Sequence, residues 1–210
     1  MKTAQRLMVE SKYVLSFTAA NLAVQQSLVI AHKFQETRDW QITKMQIQEH
    51  NLLQARTKSA LIRLNRELIG RLQTLHASQI ELLCSGSPEE QRQVLWLAVC
   101  KRYAFIREFA VEVIHEKFAR GDLYLTDFDY ISFYNSKADW HPELETITES
   151  TRKKVRSTML FMLRQAHLTT PRGEIIPAIF SPQARQALDL DAPMSYLIFP
   201  APYSVPQEAA

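Results

Sequence analysis

Apolar residues recur at three- and four-residue spacing along most of the chain, the period of helices that pack by one face. Between Arg56 and His76, Ala60, Leu61, Leu64, Leu68, Leu72 and Leu75 fall on one side and Arg56, Ser59, Arg63 and Arg66 on another, which predicts an amphipathic helix. Residues 15–32 predict a buried helix ahead of it, and residues 42–53 a shorter one that starts near Asp39 and Trp40. The first 87 residues hold no proline and only Gly70 and Gly86, so this half is expected to be all α.

The run Cys84-Ser85-Gly86-Ser87-Pro88 is the clearest break, because Gly and Ser loosen the backbone and Pro suits the first turn of a new helix. It marks the expected boundary between an N-terminal helical bundle, residues 1–87, and a second domain, residues 88–190. Residues 94–118 predict a helix apolar on most sides, through Leu95, Trp96, Val99, Phe105, Ile106, Phe109, Val113 and Ile114, ended by Gly121. Thr126 is a candidate cap for a short helix to Tyr134 that turns Phe128, Ile131 and Phe133 inward. Pro142 starts a helix of one or two turns to Glu145. Thr148 to Thr151 offer hydroxyl caps to a longer helix, with Val155, Met159, Met162 and Leu163 on its core face. Leu168-Thr169-Thr170-Pro171-Arg172-Gly173-Glu174-Ile175-Ile176 then sets Pro and Gly between two short extended runs, as a β-hairpin would. The order short helix, turn, long helix, hairpin is that of a winged helix-turn-helix. The expected fold class is therefore mostly α, with a short β-hairpin wing in the second domain. Residues 191–210 hold four of the nine prolines and predict an irregular arm that docks through Tyr196, Leu197, Ile198 and Phe199 and frays after about Pro202.

Charge sharpens this picture. The balance of 25 Lys and Arg against 22 Asp and Glu gives only +3, yet the second half is polarised. Residues 151–172 carry six basic residues and no acid, whereas residues 122–148 carry six acids and one lysine. A helix fits the DNA major groove, and Lys, Arg, Ser and Thr neutralise or hydrogen-bond phosphates. Thr151, Arg152, Lys153, Lys154, Arg156 and Ser157 stand in the first turns of the long helix, and Arg172 stands at the hairpin tip. They are the candidate contacts to double-stranded DNA. A solvated basic face on a helical bundle is the plain alternative for the same charges.

Other chemistry finds little support. The six histidines are scattered without metal-ligand spacing, and four glycines make no phosphate-binding loop, so neither metal nor cofactor is expected. Cys84 and Cys100 stand 16 positions apart in apolar sequence, without a disulfide or nucleophile pattern. The expectation is a non-catalytic cytoplasmic protein. Residues 13–31 lack charge for 19 positions, but Ser16, Thr18, Asn21, Gln25, Gln26 and Ser27 interrupt the stretch and argue against a membrane span. Two alternatives are a protein-interaction adaptor with an exposed Tyr196, Ile198 and Phe199, and RNA binding by the N-terminal bundle.

Several spaced groups carry a resemblance. Tyr13-x-x-Ser16-Phe17-Thr18, Asp39-Trp40, Asn51-Leu52-Leu53-Gln54-x-Arg56-Thr57, Arg63-x-x-Arg66-Glu67 and Arg71-Leu72 resemble the N-terminal half of the BrxA family, a small component of BREX bacteriophage-exclusion systems. Trp96-Leu97-Ala98-x-Cys100-Lys101-x-Tyr103, Phe109-Ala110, Ser150-Thr151-Arg152-x-Lys154-Val155-Arg156 and Met162-Leu163 continue it. The resemblance implies a non-catalytic DNA-binding accessory protein acting beside a methyltransferase, an ATPase and other components. It also implies a first subdomain like antitermination-factor helical bundles and a second that is a winged helix. His167 departs from the glycine expected between recognition helix and wing.

Overall fold

The computed structural model describes residues 12–202. Within them the chain is mostly α. A 3₁₀ turn, Ser16–Ala19, precedes α1 (Val24–Thr37), α2 (Trp40–Glu49), α3 (Lys58–Leu72) and α4 (Ala77–Ser85). Then come α5 (Pro88–Arg102) and α6 (Ala104–Phe109), which a π-helical turn, Ala110–His115, joins to α7 (Glu116–Ala119). The remaining helices are α8 (Asp127–Ala138), α9 (Pro142–Glu145), α10 (Glu149–Gln165), α11 (Pro182–Asp189) and α12 (Met194–Leu197).

Local caps set most helix starts. Asp39 accepts from the Gln41 and Ile42 amides at α2, and Thr57 from Ala60 at α3. Ser87 and Glu90 close a capping box at α5 with Pro88 in its first turn, and Thr126 and Asp129 do the same at α8.

Where long-range contacts act, the sequence reading gives way. The helix expected over residues 15–32 begins only at Val24. Arg71 donates to the Ala20 and Asn21 carbonyls at 2.9 and 2.6 Å, and Leu22 N donates to Gln165 Oε1 at 3.0 Å. These bonds hold residues 20–22 out of a helix, and Ala23 turns left-handed at φ 50° before α1. The long helix expected over residues 94–118 breaks at Tyr103, whose buried hydroxyl hydrogen-bonds Glu67 of α3.

One cluster of buried apolar residues runs from Tyr13 to Ala201, across the break at residues 84–88. In the C-terminal half Phe105, Phe109, Tyr130, Phe133 and Tyr134 pack ring to ring. Phe128 and Ile131 do not join them. At 75% and 49% exposure they lie on the opposite side of α8, which turns Tyr130, Phe133 and Tyr134 inward instead.

The arm is docked through Phe199 and Ile198, which are buried, with Trp96 Nε1 donating to the Ile198 carbonyl at 2.9 Å. Burial of these two residues removes the exposed apolar arm on which the adaptor alternative rested. Part of the arm is helical, as α12. The fraying expected after Pro202 falls outside the described residues. No helix among the described residues is long and apolar enough to cross a membrane.

Candidate nucleic-acid interface

α9, a three-residue turn and α10 form the centre of the site. Leu144 of α9 is fully buried, and its carbonyl accepts from Tyr134 Oη at 2.6 Å, which fixes α9 to α8. Thr148 caps α10 by accepting from Thr151 N at 3.2 Å. Val155, Met159, Met162 and Leu163 are fully buried, so α10 is seated by the face that the heptad-like spacing indicates.

That seating sorts the candidate residues into two sets. Lys153, Lys154 and Ser157 are exposed and point away from the core. Lys153 lies 2.7 Å from Glu149 one turn earlier, and at 77% and 79% exposure this pair is easily exchanged for water or phosphate. Ser157 Oγ donates to the Lys154 carbonyl at 3.1 Å. Arg152, also exposed, and the half-buried Arg156 lie to one side, against α8. The Arg152 guanidinium is 4.3 Å from the Tyr134 ring centroid, and Arg156 is ion-paired with Asp127 and 5.7 Å from the Tyr130 ring. Thr151 is half-buried and hydrogen-bonds the Thr148 hydroxyl at 2.9 Å. Among the described residues Lys154, Arg164 and Arg172 make no ion pair.

The expected β-hairpin wing is replaced by a turn with two isolated bridges. Thr169 pairs antiparallel with Ile175 and Tyr124 with Glu174, and no strand forms among the described residues. The tip closes through Gly173 N to the Thr170 carbonyl at 3.0 Å, and Leu125 N donates to the Gly173 carbonyl at 2.8 Å. Pro177 has no N–H to donate, which stops the pairing beyond Ile176. Gly173 sits at φ 87°, and a Cβ there would meet the Leu125 carbonyl oxygen at 2.5 Å, so only glycine fits. Arg172 is exposed at the tip of this turn. His167 adopts φ 57°, taking the left-handed conformation where glycine was expected, with Nδ1 3.3 Å from Glu89.

Three features were missed by the sequence reading. Phe161 is 41% exposed, with the Arg164 guanidinium 5.4 Å from its ring, so the solvent face of α10 extends two turns past Ser157. The positions 153, 157, 161 and 164 already carried the signal, at helical spacing on the face opposite Val155 and Met159. Asp127 was counted among the acids but not matched to Arg156. A groove of about 810 Å³ lies between the last turns of α10 and residues 18–26. No local pattern in the sequence announces it.

A family model for BrxA matches residues 11–191. The chain is 28% identical over 168 residues to the BREX protein BrxA of Escherichia coli O9:H4 (strain HS), covering 80% of this chain and 79% of the relative. To the BREX protein BrxA of Bacillus cereus (strain H3081.97) it is 24% identical over 137 residues, covering 65% and 68%. The crystal structure of an uncharacterized protein from Magnetospirillum magneticum aligns with TM-score 0.77 at 18% identity, over 90% of this chain and 100% of that one, and so shares the fold. With its family model matched over residues 11–191, this chain belongs to the BrxA family.

Proposed function

We propose that this protein is a non-catalytic, cytoplasmic DNA-binding component of a BREX phage-defence system, working beside the system's methyltransferase and ATPase. In this reading α9, the turn and α10 act as a helix-turn-helix, and the turn at residues 168–176 acts as its wing. α10 enters the major groove of duplex DNA by its solvent face, and Arg172 reaches the neighbouring backbone. The observation that carries it is the solvent face of α10: Lys153, Lys154, Ser157 and Arg164 without an acid beyond Glu149, beside a turn that holds Arg172 exposed. A merely solvated helix face has no requirement to exclude acids over four turns. The names of the two relatives, both BREX proteins, support the cellular role.

The test is the variant Lys153→Glu/Lys154→Glu/Arg172→Glu, whose positions are all exposed, so the fold is expected to persist. Anisotropy of a labelled duplex should then show affinity weaker by about 100-fold or more at low salt. Parent-like affinity overturns the assignment.

A second reading, a protein-docking role, is favoured by Phe128 and Ile131, 75% and 49% exposed at helical spacing on α8, with Tyr124, 59% exposed, in the bridge that precedes it. Phe128→Glu should abolish association with another BREX component and leave DNA affinity unchanged. Retained association would remove this reading.

A further inference from the structure

We propose that the groove between α10 and residues 18–26 seats the sugar-phosphate backbone of one DNA strand, which makes the N-terminal half part of the DNA site. This rests on α10 being the helix held in the major groove. That groove is about 12 Å wide and a helix about 10–12 Å across, so an inserted helix has a backbone strand close along each side. On one side of α10 stands α8, with Tyr130 and Tyr134 against Arg156 and Arg152. On the other lies the groove of about 810 Å³, running along α10 from Ser157 to Gln165. Ser157, Phe161 and Arg164 belong both to the solvent face of α10 and to the wall of the groove. A strand flanking α10 on that side therefore has to pass through it.

The wall chemistry suits that occupant. It offers the Thr158 hydroxyl, amides from Asn21, Gln25 and Gln26, the Arg164 guanidinium, and no carboxylate, while the Thr18 hydroxyl donates to the Leu15 carbonyl at 3.3 Å. These are the groups that bond phosphate oxygens. Gln165 accepts from Leu22 N through Oε1, which leaves its amide N–H groups as donors on the same wall. The competing account is a polar seam between two packed halves of the protein. Such a seam tolerates amide-to-carboxylate exchange at its rim, whereas a phosphate seat does not.

The variant Asn21→Asp/Gln25→Glu separates the two. Aspartate keeps the acceptor that Asn21 Oδ1 offers to Ala23 N at 2.8 Å. α1 has no side-chain cap and no acid in its first turn, so the new carboxylates favour the helix, and the thermal midpoint is expected to hold or rise. Binding to a labelled duplex at low salt is expected to weaken at least about tenfold. Gln25→Lys is expected to strengthen it at least about threefold, which carries the test if the double variant folds poorly. Gln41→Glu, on an exposed position of α2 outside the groove, controls for net charge and is expected to change affinity less than twofold. If the parent binds and the groove variants match it, or if Gln41→Glu weakens binding equally, the groove assignment is overturned while the reading of α10 stands. If the parent fails to bind duplex at low salt, both are overturned.

Discussion

Arg156 on α10 is ion-paired with Asp127 at the start of α8, and its guanidinium carbon stands 5.7 Å from the centre of the Tyr130 ring. Arg156 is one of the candidate DNA cations, and the free protein holds it in this internal contact, with which a phosphate would have to compete. Asp127 is 79% exposed and Arg156 34% exposed, so the pair contributes only about 0–1 kcal/mol to stability. Its larger effect is expected on binding. Asp127→Asn should free Arg156 for phosphate and strengthen duplex binding by about threefold or more, since each added phosphate contact releases counterions. A binding titration with unchanged affinity would place Arg156 outside the interface.

His167 links α10 to the turn that carries Arg172, and its φ of 57° strains a residue with a Cβ. Replacement by glycine removes that strain and gives up an exposed contact with Glu89 at 3.3 Å. The net expectation is a gain of about 0.5 kcal/mol, or a rise of about 1–2 °C in the thermal midpoint. A clear fall on His167→Gly would mean that the Glu89 contact, not backbone strain, governs this turn.

These positions show what local sequence can and cannot specify. Ser87-Pro88 with Glu90, Thr126 with Asp129 and Thr148 are caps whose donors and acceptors lie within one turn, Pro142 is a proline suited to a first turn, and each helix start they indicate is present. Ser181-Pro182 carries the same kind of signal for α11, and it went unread. The break at residues 20–23 has no such signal, because it is held by Arg71 and Gln165, 50 and 143 positions away. In the site, the basic cluster was legible as composition. Which of its members are engaged inside the protein was not, because that depends on Tyr134 of α8 meeting the exposed Arg152 and on Tyr130 and Asp127 holding the half-buried Arg156. The groove joins residues 18–26 to residues 157–165 and exists only once the chain is folded.

Acid stability follows from a few carboxylates. Burial raises the pKa of Asp191, but Lys101 at 2.7 Å and Gln79 at 2.7 Å outweigh it and hold the group below the ordinary carboxylate range. Burial likewise opposes, and hydrogen bonds overcome it, at Asp129 with Thr126 and Lys117. A group with a lowered folded pKa binds protons more tightly when unfolded. Its contribution is therefore complete above the unfolded value, about 4, and is lost as pH falls through the folded one. The thermal midpoint should be level from about pH 7 to 5 and drop below about pH 4. Asp191→Asn should lower the midpoint at neutral pH and narrow the gap to the parent in acid. Melting curves that run parallel across the whole range would remove Asp191 from this account.

The central claim, that the solvent face of α10 and Arg172 hold duplex DNA, is tested most directly by anisotropy of a labelled duplex titrated with the parent protein over a salt series. With about five phosphates neutralised, the logarithm of affinity should fall against the logarithm of salt with a slope near −4 to −5. No binding at low salt, or an affinity indifferent to salt, would contradict it.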